Sequence, residues 1–137
     1  MPYDDEIPPF VEPDEEMNAL TSSVIAAAIE VHKHFGPGLD EALYENALCS
    51  ELRRRGIPFE CQKAVNVVYK DELIGQRKLD LVVGGKLVVE LKAVEALTPL
   101  HKAQVKTYLI ITGMQLGLLL NFNSILLKDG LKRVIQN

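Results

Sequence analysis

The chain has no tryptophan, only two cysteines, and aromatic residues make up 6% of it. Cys49 and Cys61 lack the paired spacing of a metal site and read as reduced, small apolar side chains rather than as a disulfide. No apolar run reaches the roughly 18–20 residues that span a bilayer. The longest candidates are broken at Thr112-Gly113 and at Gly117. The N-terminus has no basic stretch leading into an apolar one, so no secretory signal is expected, and a cytoplasmic location follows. A glycine-rich loop of the phosphate-cradling kind is also missing, which argues against a small-molecule nucleotide hydrolase.

Positive charge is missing from the first twenty residues. They hold seven acids (Asp4, Asp5, Glu6, Glu12, Asp14, Glu15, Glu16) and no Lys or Arg. Four prolines lie in the same stretch, so residues 1–16 read as a disordered or loosely docked acidic tail. Such a tail serves solubility, or mimics a polyanion over a basic groove. The net charge of −4 therefore hides a mildly basic body, with 12 acids against 15 Lys and Arg, compatible with a nucleic-acid partner. Length and a hydrophobic fraction of 47% suit one globular domain over residues 17–137.

What is there begins with helices. From about Leu20 to Phe35 the spacing is helical, with Thr21 as N-cap, and Gly36-Pro37-Gly38 ends the run. His32 and His34, two apart, do not share a helix face and read as structural or exposed. A second helix is expected from about Asp40 to Arg55. Its Glu41, Tyr44, Glu45, Leu48 and Leu52 share one stripe. Leu48 and Leu52 turn that stripe inward, so Glu41 and Glu45 either find partners or sit at the rim near the positive helix end. Arg53, Arg54 and Arg55 close the helix, as a solvated end or as a nucleic-acid contact. Short β signals follow at Pro58–Gln62, Ala64–Tyr69 and Leu73-Ile74, with a polar turn at Lys70-Asp71-Glu72. Thr98-Pro99 opens a third helix that ends at Gly113. Gln104 and Tyr108 lie one turn apart on it. The Leu-rich segment Gly117–Phe122 reads as a buried strand parallel to the one at Lys86–Ala93, and Leu131–Ile135 as a last short strand.

The stretch Lys78–Val94 organises the rest. Two Leu- and Val-rich arms meet at Gly84-Gly85, a hairpin signal. A three-residue turn, Gly84-Gly85-Lys86, pairs Val83 with Leu87 and Asp80 with Glu90. One face is then Leu79, Leu81, Val83, Leu87, Val89 and Leu91; the other carries Asp80, Val82, Val88, Glu90 and Lys92. A one-residue slip mixes charge into both faces, so the apolar pattern selects this register. Opposed carboxylates repel. A hard divalent cation such as Mg²⁺ or Mn²⁺ compensates them, or the residues form a solvated polar strip with one ion pair.

Gly38-Leu39-Asp40-Glu41-Ala42-Leu43-Tyr44 has the form GxxExxY. With Asp80, Glu90-x-Lys92 and Gln104-x-x-x-Tyr108, in that order, the chain resembles the GxxExxY proteins of the PD-(D/E)xK nuclease superfamily over about residues 18–137. Phe35-Gly36-Pro37-Gly38 and the Leu-Leu-Asn-Phe after Gly117 add to the resemblance; Leu79 stands where the superfamily signature has Pro. The resemblance implies an α/β, restriction-endonuclease-like fold, a mixed central β-sheet flanked by α-helices. It implies Asp80 and Glu90 as ligands of Mg²⁺ or Mn²⁺ and Lys92 as the residue that orients water and stabilises charge on phosphorus. Glu41 is implied as a helix-borne acid reaching the metal directly or through water, with Glu45 as substitute, and Gln104 and Tyr108 as support from the third helix. The implied function is metal-dependent hydrolysis of nucleic-acid phosphodiesters. The competing reading is a catalytically silent module that binds nucleic acid or protein on the same fold. So small a domain is expected to act as a homodimer or within a larger complex.

Overall fold

The structure is a computed structural model and describes residues 14–136. Three helices flank a five-stranded mixed sheet whose strands lie in sequence order. The elements are α1 (Glu15–Phe35), α2 (Glu41–Arg54), β1 (Phe59–Tyr69), β2 (Glu72–Val83), β3 (Leu87–Lys92), α3 (Pro99–Thr112), β4 (Leu116–Asn121) and β5 (Leu131–Ile135), with a 3₁₀ turn at Leu127–Gly130 before β5. Among the described residues the sheet has five strands, including the two expected at Gly117–Phe122 and Leu131–Ile135. It is the expected α/β, restriction-endonuclease-like arrangement.

The central hairpin adopts the register that the apolar pattern selects. Val83 pairs with Leu87, Val82 with Val88 and Leu81 with Val89, while Gly84 and Gly85 take φ values of 61° and 71°. Those values favour glycine, the residue without a Cβ to clash. One detail differs. Leu79 joins Val82 and Val88 in the apolar cluster under α3 instead of following Leu81, Val83 and Val89 into the cluster under α1 and α2. The cause lies at Asp80, whose backbone N–H leaves the strand ladder for a side chain and breaks the alternation.

Helix α1 begins at Glu15, five residues before the expected start. Asp14 is its N-cap and accepts the Met17 N–H at 2.8 Å, while Glu15 and Glu16 fill a first turn that favours acids. Thr21, expected as the cap, is a buried helical residue whose hydroxyl donates to the Met17 carbonyl. The helix thus reaches into the stretch read as tail; residues 1–13 lie outside the described residues. Glu16 pairs with Lys86 at the hairpin turn, tying α1 to the sheet.

The strand signals on either side of Lys63 merge into one strand, β1, and Leu73-Ile74 merges into β2. Lys70 and Asp71 turn the chain with φ of 47° and 68°, and a bulge between Val67 and Val68 absorbs the irregularity at Gly75. Since β2 meets β3 only at residues 81–83, the far part of β1 and β2 forms a two-stranded ribbon beyond the sheet. Strands β3 and β4 run parallel, Leu87 beside Leu116 through Lys92 beside Asn121, as the crossover through α3 requires. Gly117 permits that crossover to pack closely: a Cβ there would lie 2.7 Å from a Val105 methyl on α3.

Tyr44, the last residue of the GxxExxY stretch, is fully buried. Its ring stacks on Phe122 with centroids 4.7 Å apart. Its hydroxyl donates to the Gly36 carbonyl at 2.5 Å and accepts the Leu39 N–H at 3.1 Å. The connection between α1 and α2, and with it the placement of Glu41 and Glu45, hangs on this ring. His32 is buried beside it, its Nε2 2.8 Å from the Ser124 carbonyl, a structural position. Tyr44→Phe leaves two backbone groups without their partner and is expected to lower unfolding free energy by about 1–3 kcal/mol. Urea denaturation followed by circular dichroism measures the loss.

Candidate active site

The β2–β3 ladder stops at Leu81 and Val89, and the next pair of residues is Asp80 and Glu90. Their side chains take over from the ladder. The Asp80 N–H donates to Glu90 Oε2 at 2.7 Å, and the Leu91 N–H donates to Asp80 Oδ2 at 2.9 Å. Each carboxylate is thereby pinned by a backbone donor. Glu90 is only 4% exposed. Burial, and then the negative charge of Asp80, push its carboxyl up to about 8 from an ordinary 4.5.

The other layer reaches this pair through Gln62 on β1. Its amide donates to both oxygens of Glu45, at 3.0 and 3.1 Å, and to Asp80 Oδ1 at 3.3 Å. Gln62 sits at φ 50°, a left-handed conformation rare outside glycine. The flanking pairs, Cys61 with Leu81 and Lys63 with Leu79, remain in register. A strained backbone is thus held where its side chain bridges two acids. No sequence motif marks Gln62. Its one trace in the sequence is the interruption of the β signal at Lys63, which reads as a strand boundary.

Glu41 and Glu45 divide. Glu45 is buried and engaged by Gln62; burial raises its pKa first, and Gln62 offsets part of that. Glu41 is exposed at the rim and makes no hydrogen bond with a described residue. Its pKa is raised by burial and by Asp80, and lowered by Lys92 and His101. Lys92, the last residue of β3, is half-buried, with Nζ 3.5 Å from Gln104 Oε1, the outer limit of a hydrogen bond. Tyr108, one turn further along α3, is buried; burial and the Glu90 charge raise its pKa, and Arg77 lowers it. Buried Asn121, beside Lys92 on β4, accepts from Val94 N–H at 3.0 Å and donates to the Val94 carbonyl at 2.9 Å, fixing the exit of β3. Arg77 and His101 join the site through strand register and helix stripe, which no short motif records, whereas Asn121 is the Asn of the Leu-Leu-Asn-Phe stretch.

Arg53, Arg54 and Arg55 are not brought to this site. They lie about 18 Å from Glu41 along α2, at 1.5 Å per residue. There they engage neighbours: Arg53 lies 5.7 Å from the Phe59 ring, Arg54 bonds Ser50, and Arg55 pairs with Glu51 at 2.7 Å. Arg54 also lines a separate cavity of about 360 Å³ between α1 and α2, away from the carboxylates.

The profile of the PD-(D/E)XK nuclease superfamily matches residues 18–134, a span that takes in every element of the sheet and both acid-bearing strands. The chain belongs to the PD-(D/E)XK nuclease superfamily. No curated protein matches it closely. Nucleases of this superfamily generally use divalent metals. Among the described residues, no three His, Cys, Asp or Glu side chains form a ready-made metal cage. The donor chemistry nevertheless fits a hard cation: Asp80 and Glu90 are paired carboxyl groups held by backbone donors, and burial, then the neighbouring Asp80 charge, pushes Glu90 up to about 8. Mg²⁺ takes one or two carboxylates and completes its shell with water and phosphate, so a full cage is unnecessary. Among the described residues no helix is long and apolar enough to cross a membrane.

The raised Glu90 pKa makes stability depend on pH. Between 4.5 and about 8 the folded protein holds a proton that the unfolded chain has lost. The contribution of this group to the stability of the metal-free protein is therefore fully present below that window. That contribution is lost as pH rises through the window, by at most about 1.4 kcal/mol for each pH unit crossed. Glu90→Gln, which keeps an acceptor for Asp80 N–H, is expected to flatten the dependence. Urea midpoints across that range, with chelator present, check it.

Proposed function

We propose that this protein is a metal-dependent nuclease of the GxxExxY branch, hydrolysing phosphodiester bonds of nucleic acid. The observation that carries the proposal is the opposition of Asp80 and Glu90 where the β2–β3 ladder ends, with Lys92 two residues on and held toward Gln104. Asp80 and Glu90 would hold Mg²⁺ or Mn²⁺. Glu41, free of hydrogen-bond partners among the described residues, suits a third ligand, direct or through water, better than Glu45, whose two oxygens Gln62 occupies. The ion would supply Lewis acidity, activating water and neutralising charge at the leaving oxygen.

The chain's own groups supply positioning. The N–H groups of Asp80 and Leu91 fix the two carboxylates, so the site needs little rearrangement as charge develops. Lys92 Nζ has three donors and spends one toward Gln104, leaving two for a phosphoryl oxygen and the attacking water. Acting as a donor, Lys92 orients water and stabilises charge on phosphorus. Gln104 positions Lys92. Tyr108, one turn along α3 from Gln104 and lining the same cleft as Lys92, offers a hydroxyl as a further donor.

Calorimetry with Mn²⁺ tests the metal step without substrate. Wild type is expected to bind, and the Asp80→Ala/Glu90→Ala double variant to lose binding. Cleavage of labelled nucleic acid in Mn²⁺ tests the chemistry: Lys92→Ala is expected to lower kcat by about 10²–10³, the cost of a lost transition-state donor. Cleavage that survives the double variant, or wild type that neither binds Mn²⁺ nor cuts, overturns the reading. In a silent binding module, Asp80→Ala would instead keep or tighten affinity for nucleic acid, because it removes negative charge.

A further inference from the structure

Beside the carboxylates a cleft of about 480 Å³ opens between the β1–β2 ribbon and α3. Its lining includes Arg77 of β2, Lys92 of β3, and Leu100, His101, Gln104 and Ile111 of α3. The ribbon reaches this helix because Val65, the partner of Arg77 across the ribbon, packs into the cluster containing Val105, Tyr108 and Leu109.

The lining has two kinds of surface. On one side are cations and donors. Arg77 is exposed and makes no hydrogen bond or ion pair with any described residue. His101 closes a capping box with Thr98, its Nδ1 accepting the Thr98 N–H at 3.0 Å. In the neutral ring this bond assigns the proton to Nε2, so the free edge of the imidazole is a donor. Lys92 completes this side. On the other side are aliphatic groups. Leu100, at the second position of α3, is 77% exposed, and half-buried Ile111 lies further along the same helix.

Cations and donors beside an aliphatic wall at Leu100, in a volume suited to a single small ligand, match a nucleotide: phosphate to Arg77 and His101, base against Leu100. A base inside a duplex is covered by stacking on both faces and paired along its edge. It reaches such a wall only after leaving the stack. We propose that this cleft seats an unpaired nucleotide next to the phosphate gripped at Lys92, so that the substrate is single-stranded nucleic acid or a single-stranded end. The substrate class rests on the nuclease reading; the seat itself does not.

Fluorescence anisotropy with a labelled single-stranded oligothymidylate, and with a blunt duplex of equal length, tests the seat in chelator, where no strand is cut. Wild type is expected to bind the single strand at least about tenfold tighter than the duplex. Arg77→Ala and Leu100→Asp are each expected to weaken single-strand binding about tenfold, the scale of one lost nucleotide contact, and to leave duplex binding unchanged. Both side chains are exposed, so neither change removes core packing. Equal binding of the two probes, no binding of either, or single-strand affinity indifferent to both substitutions overturns the seat. Mn²⁺-dependent cleavage separates this from the nuclease reading. Arg77-dependent single-strand binding without cleavage keeps the seat and removes the nuclease. Cleavage that needs Asp80 but ignores Arg77 and strandedness does the reverse.

Discussion

Everything in this fold answers to two carboxylates facing each other across neighbouring strands. Asp80 and Glu90 occupy a register position where like charges repel. The protein keeps them there by ending the ladder and giving each a backbone N–H instead. A hydrogen bond to an ionised carboxylate is stronger than the neutral ladder bond it replaces, so the exchange is tolerable where the acid is charged. It does not remove the repulsion, which is why burial beside Asp80 leaves Glu90 so reluctant to ionise. A site built this way disfavours a further anion and would favour a cation. Lys92 supplies some positive charge.

The surroundings hold the pair from both layers. On one side, Tyr44 stacked on Phe122 sets where α2 starts and therefore where Glu41 and Glu45 lie. On the other, α3 carries Gln104 to Lys92 and Tyr108 toward Glu90. Asn121 joins the two by clamping Val94 just after β3. The polar groups sit at the end of the β2–β3 ladder, where helix layers from both faces can reach them. Below them the strands are uniformly apolar from Leu116 to Leu120 and from Leu87 to Val89, a rigid base for a charged rim.

Much of this is legible in the sequence because it depends on local pattern. The alternation of Leu and Val around Gly84-Gly85 admits one register, and that register opposes Asp80 to Glu90. Thr98-Pro99 and Gly113 bound α3 at both ends, since cap chemistry is local. The start of α1 is less legible: Asp14, Glu15 and Glu16 are good first-turn residues, but they follow prolines and acids and blend with the tail. Strict alternation misplaces Leu79, because alternation holds only while the backbone stays in the ladder. Gln62 and Arg77 escape for another reason. Each acts through pairing of β1 with β2, so its neighbours in space are many residues away in sequence, and no spacing rule reports them. The Arg53–Arg55 cluster is conspicuous in sequence and remote in space, because charge density along a chain says nothing about which end of a helix faces the site.

The placement of Arg77 also says where selectivity can reside. Asp80, Glu90 and Lys92 stand on strands packed on both faces, where a side chain is held to the tolerance that chemistry needs. Arg77 stands on the ribbon, which β3 does not support and whose twist is set by the bulge between Val67 and Val68. A two-stranded ribbon is marginally stable alone, and here Val65 is its apolar anchor on the α3 cluster. The width of the cleft therefore depends on the ribbon, whereas the geometry of the carboxylates depends on the core. If the proposed nuclease reading holds, changes in the ribbon would alter which strand enters without disturbing the groups that act on it. On that reading, catalytic precision and substrate fit would fall to different parts of the fold, the core and the ribbon, meeting at Asp80, near which β2 leaves one for the other.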